Sequence, residues 1–419
     1  MRERKQWLTG LVQKLYITWS AFTANDLTTH ATAGAYSFLL SALPLILMVL
    51  AILIRVIHAS PEIILSFMSE NAIFSRTLDP NAFLESIMSV RSVGLMEIVL
   101  GLSIFWMARR FFAEIQKGMT VIYRKSGKGK AIKENLIVIA AEVLLIFLIV
   151  VLATLMMSGT AIFDSLVRDS LIDRHVIRAV RALFRYAPIT VIFLFLFLVY
   201  LFSPRTKPTV VQSFWAALAC TLSFTLVRVV FAGLVNMTRY NLVYGILSNV
   251  IVLLLEVYLF FFLFLFFAQF QYVSQFFESF LLVKLYLLPK QDDPNPIARF
   301  ERALFREPPF YRSKYEFLAN KGDVLFRIGE NSTDLYYIWE GFIRLEMPSQ
   351  VIELGKGGMF GEFSSIIVGN RTATATATTD CVLLKIPASI FQATIEVDGE
   401  MSKRTLQMIA DYMRANHHP

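Results

Sequence analysis

Charge is what this sequence has least of: only 17% of its 419 residues are Asp, Glu, Lys or Arg, while 56% are hydrophobic. Soluble domains carry about a quarter charged residues, so the deficit excludes an ordinary water-soluble chain and points to membrane spans. Cysteine is nearly absent. Cys220 sits in an apolar run and Cys381 in the polar C-terminal part, so no disulfide is expected and the tail is placed in reducing surroundings. The five histidines are scattered, and no His/Cys/Asp cluster or nucleophile with a matched base is visible. No metal site, catalytic residue, cofactor or enzymatic activity is therefore expected. A Thr-Val-Gly-Tyr-Gly filter and a helix with Arg at every third position are both missing, which argues against a channel of that kind. Residues 1–15 are basic and mixed rather than a short apolar core, so no cleavable signal is expected there.

What is present is a series of long apolar runs. Six spans are expected at about 34–57, 94–107, 136–157, 187–202, 210–235 and 243–267. The net charge of +8 comes from basic residues beside these runs, which fits membrane topology better than nucleic-acid binding. Eight basic residues between Arg109 and Lys133, and the turn Pro204-Arg205-Thr206-Lys207-Pro208, mark the inner side. The acidic loop 58–92 belongs outside, and both termini are expected in the cytoplasm. Residues 1–30 interleave Arg2, Arg4, Lys5 and Lys14 with Trp7, Leu11, Leu15 and Trp19. Two readings stay open for this helix: it lies on an anionic membrane surface, or it packs as a solvated helix on the bundle.

Ionised groups inside spans are expensive and normally face protein or water. Glu97, Glu142, Arg228 and Glu256 are such groups. They line a solute path, or Arg228 pairs with a glutamate, Glu256 and Glu142 being the leading candidates. Tyr36 and Ser41 flank the kink expected at Pro44, and either line a cavity or, for Ser41, bond back to the helix.

Near the C-terminus, Phe360-Gly361-Glu362-Phe363 is followed at a fixed distance by Arg371-Thr372-Ala373-Thr374. Gly361 permits close backbone approach to a ligand, Glu362 offers an acceptor for sugar hydroxyls, and Arg371 offers a fork suited to a phosphate diester. Upstream, Lys321-Gly322-Asp323, Gly329-Glu330 and Gly341 punctuate alternating apolar residues in the manner of β-hairpins. An internal Glu362–Arg371 ion pair in a β-roll without ligand is the alternative.

This stretch resembles the phosphate-binding cassette of cyclic nucleotide-binding domains. The resemblance implies a jelly roll in which Gly361 and Phe363 lend backbone contacts, Glu362 takes the ribose 2′-hydroxyl and Arg371 the cyclic phosphate. Thr372 would bond phosphate or base, beside the small Ala373, without choosing between cAMP and cGMP. Asn370 replaces a common proline. The last helix, with Met401, Leu406, Met408 and Ile409, would be a lid.

The string His30-Ala31-Thr32-Ala33-Gly34-Ala35-Tyr36-Ser37-Phe38, with Tyr244-Gly245 opening the last span, resembles the YihY/BrkB family of bacterial inner-membrane proteins over about 20–275. Glu256 and Phe267-Ala268-Gln269 depart from its pattern. The expected fold is multidomain: an all-α polytopic bundle of six transmembrane helices followed by a cytosolic β-jelly-roll with flanking helices. The segments are 1–30 (amphipathic, cytoplasmic), 31–275 (membrane domain), 276–295 (interfacial segment and linker) and 296–419 (nucleotide-binding-like domain). The expected function is transport-like or lipid-handling activity regulated by a cyclic nucleotide, with the bilayer, a lipid or small solute, and a further copy of the chain as partners. A nucleotide-responsive channel and a non-transporting sensor or scaffold are the other classes.

Overall fold

In a computed structural model of the chain, the described residues are 2–55, 112–123, isolated positions between 136 and 151, 174–204, 206–234, 246–288, 295–306, 308–348, 350–366, 370–397 and 399–416. They form two compact units, Ala21–Tyr272 and a second made of Met1–Ser20 with Val273–Pro419.

The first unit is helical. Its elements are the end of α1 (Arg2–Ala24), α2 (Leu27–Arg55), α3 (Arg174–Phe202), α4 (Val210–Leu234) and most of α5 (Ile246–Gln275). Helix α5 is the spine, because Phe261, Phe264, Leu265 and Ala268 are all buried. Its neighbours approach closely where they lack a side chain. A Cβ on Gly34 would lie 2.7 Å from the Phe261 ring, and one on Gly118 would lie 2.8 Å from Leu265. Aromatic pairs fill the remaining space, such as Tyr200 stacked on Phe264 at 5.3 Å.

Among the described residues, Val210–Val230 and Ile251–Gln275 are long and apolar enough to cross a membrane, and Ile189–Phe202 is a shorter apolar helix. The fourth expected span covers only the apolar half of α3. The helix begins earlier, at Arg174, because Arg178, Arg181 and Arg185 are good helix formers that periodicity in hydropathy does not detect. The second expected span, and most of the third, lie outside the described residues.

The second unit is built on eight strands, β1 (Glu316–Ala319), β2 (Val324–Phe326), β3 (Leu335–Glu340), β4 (Ile343–Met347), β5 (Gln350–Leu354), β6 (Met359–Phe360), β7 (Thr374–Ala377) and β8 (Cys381–Ile386). They pair antiparallel in two four-stranded sheets, ordered β1-β8-β3-β6 and β2-β7-β4-β5. Alternation puts Phe326, Ile338, Ile343, Phe360, Ala375 and Leu383 into one shared core. The helices of this unit are α6 (Phe277–Tyr286), α7 (Pro296–Phe305), α8 (Pro309–Tyr315), α9 (Glu362–Ile366), α10 (Ala388–Val397) and α11 (Gly399–Asn416). Helix α7 starts where Asn295 accepts a bond from the Ile297 N–H at 3.0 Å and Pro296 occupies the first turn.

Helix α6 corrects the expected interfacial segment at 276–288. Phe277, Phe280, Leu281, Leu282, Val283 and Leu285 are buried, and the helix packs against α10. So many apolar side chains need protein around them, and α10 supplies part of it.

Gly341 closes the β3–β4 turn at φ +95, where a Cβ would sit 2.7 Å from the Asp380 carbonyl and 2.5 Å from the Cys381 sulfur. Gly341→Ala should destabilise the β-roll by roughly 2 kcal/mol or more. Pulse proteolysis of the detergent-purified chain, scored for cleavage within 318–398, measures this.

Candidate functional site

Short β6 ends at Phe360, and Gly361 at φ +86 turns the chain into α9. The glycine is required on two counts. Its φ lies in the left-handed region, and a Cβ there would meet the Arg371 Nη1 at 2.6 Å. Arg371 itself enters just before β7. Its backbone is fixed by two bonds, Arg371 N to the Glu330 carbonyl at 2.9 Å and Gly329 N to the Arg371 carbonyl at 2.8 Å.

The Arg371 guanidinium is 2% exposed and almost fully supplied with acceptors. Nε donates to Ser332 Oγ at 2.8 Å, and Nη1 donates to Ser364 Oγ at 2.7 Å and to the Gly361 carbonyl at 3.2 Å. Nη2 donates to the Asp334 carbonyl at 2.8 Å. Its Cζ lies over the Phe326 ring, 3.9 Å from the ring centre. Burial pulls its pKa down, opposed by the nearby Tyr336, Asp334 and Glu330.

Glu362 is half-buried on the first turn of α9. Burial pushes its carboxyl above the ordinary value, and its own backbone N–H partly offsets this. Among the described residues it makes no ion pair with Arg371, so the internal-pair alternative is not the arrangement adopted. Phe363 is half-buried beside it, Thr372 is half-buried, and Ala373 is buried in the sheet. In the expected lid, Met401 is buried and Leu406 is 67% exposed. Ser332, Ser364 and the Asp334 carbonyl were not legible as partners of Arg371, because they lie 39, 7 and 37 residues from it and carry no spacing signal.

In the helical unit, Arg228 of α4 pairs with Glu256 of α5 at 2.6 Å, which selects Glu256 from the two candidate partners. Glu97 and Glu142 lie outside the described residues. Ser41 is buried and engaged within the protein, while Tyr36 is 60% exposed. Sequence patterning missed a buried polar knot. Tyr123 donates to Gln271 Oε1 at 2.9 Å and to the Ala268 carbonyl, Gln271 Nε2 donates to Ser213 Oγ at 2.9 Å, and Tyr200 donates to the Phe264 carbonyl at 2.8 Å. The helical unit also has a cavity of about 300 Å³, lined by Phe112, Ile115, Leu144, Phe195 and Phe202 and by the bonded pair Ser203–Gln116.

Apolar membrane-length helices joined to an antiparallel β-roll, with an arginine cage at a glycine-led turn, define a membrane-associated protein with a ligand-binding tail. Residues 18–278 match the family model for Virulence factor BrkB, and residues 318–398 match the one for the cyclic nucleotide-binding domain. The chain belongs to the Virulence factor BrkB family and carries a cyclic nucleotide-binding domain at its C-terminal end.

A cyclic nucleotide-gated potassium channel of Rhizobium etli is 38% identical over 71 residues, 17% of this chain and 20% of that one. A second such channel, from Mesorhizobium japonicum, is 34% identical over 82 residues, 20% of this chain and 23% of the other. The chain thus spans about a fifth of the length of these relatives. The Catabolite Activator Protein of Thermus thermophilus is 22% identical over 32% of this chain and 59% of that one, with a TM-score of 0.23.

Two outcomes follow from the cassette. Arg371→Ala should cost the nucleotide-free protein about 3 kcal/mol, since it strands the Gly361 and Asp334 carbonyls; denaturant unfolding in detergent reads this. For Glu362, whose folded pKa is raised, the folded state binds the extra proton. Its contribution to stability is therefore full below the ordinary carboxylate value and declines as pH rises to the raised value. Comparing wild type with Glu362→Gln across acid pH should show that slope in the wild type only.

Proposed function

We propose that this is an inner-membrane protein with six membrane helices and cytoplasmic termini. Cyclic nucleotide binding to its tail regulates a transport-like or lipid-handling activity of the helical region. The observation that carries the reading is the Arg371 cage, standing at the cassette spacing in a matched cyclic nucleotide-binding domain and joined by continuous chain to a matched membrane family region. The protein acts without enzymatic chemistry in this reading.

The pocket residues are Gly361, Glu362, Phe363, Arg371, Thr372 and Ala373. A cyclic phosphate takes the Nη2 hydrogen of Arg371 that the Asp334 carbonyl leaves over, and the Ser332 and Ser364 hydroxyls rotate toward the anion. The Glu362 carboxylate, which accepts only its own N–H among the described residues, takes a ribose hydroxyl. The signal then leaves through α10. Gln392 donates to the Ser365 carbonyl of α9 at 3.1 Å, and Phe391 meets Tyr286 of α6 edge-on at 6.3 Å. Tyr286 also senses Glu362, since after burial the largest cause raising its pKa is that carboxylate. Ligand at Glu362 thereby bears on α6, the helix that follows α5.

The lipid-handling alternative draws on the apolar cavity beside Phe112 and Phe195, which is sized for part of an acyl chain. The channel relatives match only the tail, so what they share with this chain is the receptor domain.

Calorimetric titration of the whole chain in nanodiscs with cAMP, cGMP and cyclic dinucleotides tests the reading. Arg371→Lys, which keeps the charge and loses the fork, should weaken binding by about 2 kcal/mol or more, roughly thirtyfold. Absence of binding heat for every nucleotide would sink the receptor assignment. Flux or lipid movement in liposomes that ignores a saturating nucleotide would sink the regulation.

A further inference from the structure

Helix α1 has two faces that do different things. One is seated in the C-terminal unit. Gln13 is fully buried and donates to the Leu304 carbonyl of α7 at 2.8 Å, and Ile17 is buried beside it. The Tyr16 ring meets Phe300 and Phe305 of α7 at 5.7 and 5.6 Å. Lys284 of α6 pairs with Glu301 of α7 at 2.8 Å and lies 5.5 Å from the Tyr16 ring. Burial and a hydrogen bond to Glu301 push the Tyr16 hydroxyl up to about 12. Lys14 lies over the Phe277 ring of α6 at 5.0 Å. The seat therefore combines aromatic packing with a charged knot, and it holds α1 against α6 and α7.

The other face is apolar and exposed. Leu8, Val12 and Leu15 are 49%, 44% and 41% exposed, and Trp19 is about half exposed. Their spacing of four, three and four residues forms one stripe along the helix, opposite Gln13 and Ile17. On α7, Ile297 and Phe300, one turn apart on one face, are 64% and 51% exposed. Because Phe300 touches Tyr16, the two helices contribute to one neighbourhood.

We infer that α1 and α7 together form a bilayer-docking surface, with Leu8, Val12, Leu15, Ile297 and Phe300 entering the boundary between headgroups and acyl chains of an anionic lipid surface. Three observations select lipid as the occupant. The sequence of α1 opens with Arg2, Arg4 and Lys5, so the segment that leads into the stripe carries the positive charge an anionic lipid surface attracts. The chain passes from α1 into α2, which begins at Leu27 and carries the long apolar run 38–54, after only two intervening residues, so the stripe is tethered close to a membrane. Trp19 stands at the end of the stripe nearest that run, as tryptophans do at membrane interfaces. This surface is independent of whether the tail takes a nucleotide.

Nitroxide labels at Val12→Cys, Leu15→Cys and, as an exposed control off the stripe, Glu330→Cys test it in the full chain, since Cys220 and Cys381 are buried. The chain is reconstituted in nanodiscs of phosphatidylcholine alone and of phosphatidylcholine with phosphatidylglycerol, and collisions with oxygen and a water-soluble nickel chelate are compared. Labels at 12 and 15 should favour oxygen over nickel at least fivefold relative to the control, and more so with the anionic lipid. Three results would overturn the inference: nickel access equal to the control, shielding from both reagents, which means protein covers the stripe, and spin–spin broadening between labels, which means a second copy does. Should Val12→Cys fail to fold, Leu8→Cys on the same stripe replaces it with the same criteria.

Discussion

A buried guanidinium sets the terms for the tail. Arg371 is nearly solvent-free, and an ion removed from water is tolerated only where acceptors replace the water it gave up. Those acceptors come from the loop before β3 (Ser332, Asp334), from the turn after β6 (Gly361) and from α9 (Ser364). Satisfying one side chain thus requires three segments to converge on it. The same requirement explains why Gly361 has no side chain and why the Phe326 ring lies under the charge. The cassette is a cation cage, with one Nη2 hydrogen of Arg371 left over.

The helical unit obeys the complementary rule. Where helices are apolar on most sides, the few polar groups they bury are paired among themselves. Gln271 sits at the junction of this pairing, receiving the Tyr123 hydroxyl and donating to Ser213, while Arg228 and Glu256 compensate each other between α4 and α5. These contacts fix which helices are neighbours. Packing among Phe and Leu side chains alone would leave several arrangements nearly equal in energy.

Helix α1 connects the two descriptions. Its polar side belongs to the nucleotide-binding unit through Gln13 and the Tyr16–Glu301–Lys284 knot, and its apolar stripe is left outside. Of the two readings of residues 1–30, packing is what the structure shows, but against α6 and α7 rather than the bundle. Helix α6, by contrast, turned out to be core, because α10 provides an apolar surface that hydropathy along the chain cannot announce.

Composition by itself pointed to the membrane character and glycine-punctuated alternation to β-hairpins, while the β-roll and the joint role of the Gly-Glu turn and Arg371 came from the resemblance of those motifs to the nucleotide-binding cassette. The last helix and the linker before α7 were also legible, because chain breakers act over a few residues. Only the tertiary structure decided that Arg371 turns to serines and carbonyls rather than to Glu362, that Glu256 is the partner of Arg228, and that α1 seats on α6 and α7. Each of these is a choice among chemically equivalent partners far apart in the chain, made by which segments the fold brings within hydrogen-bond distance.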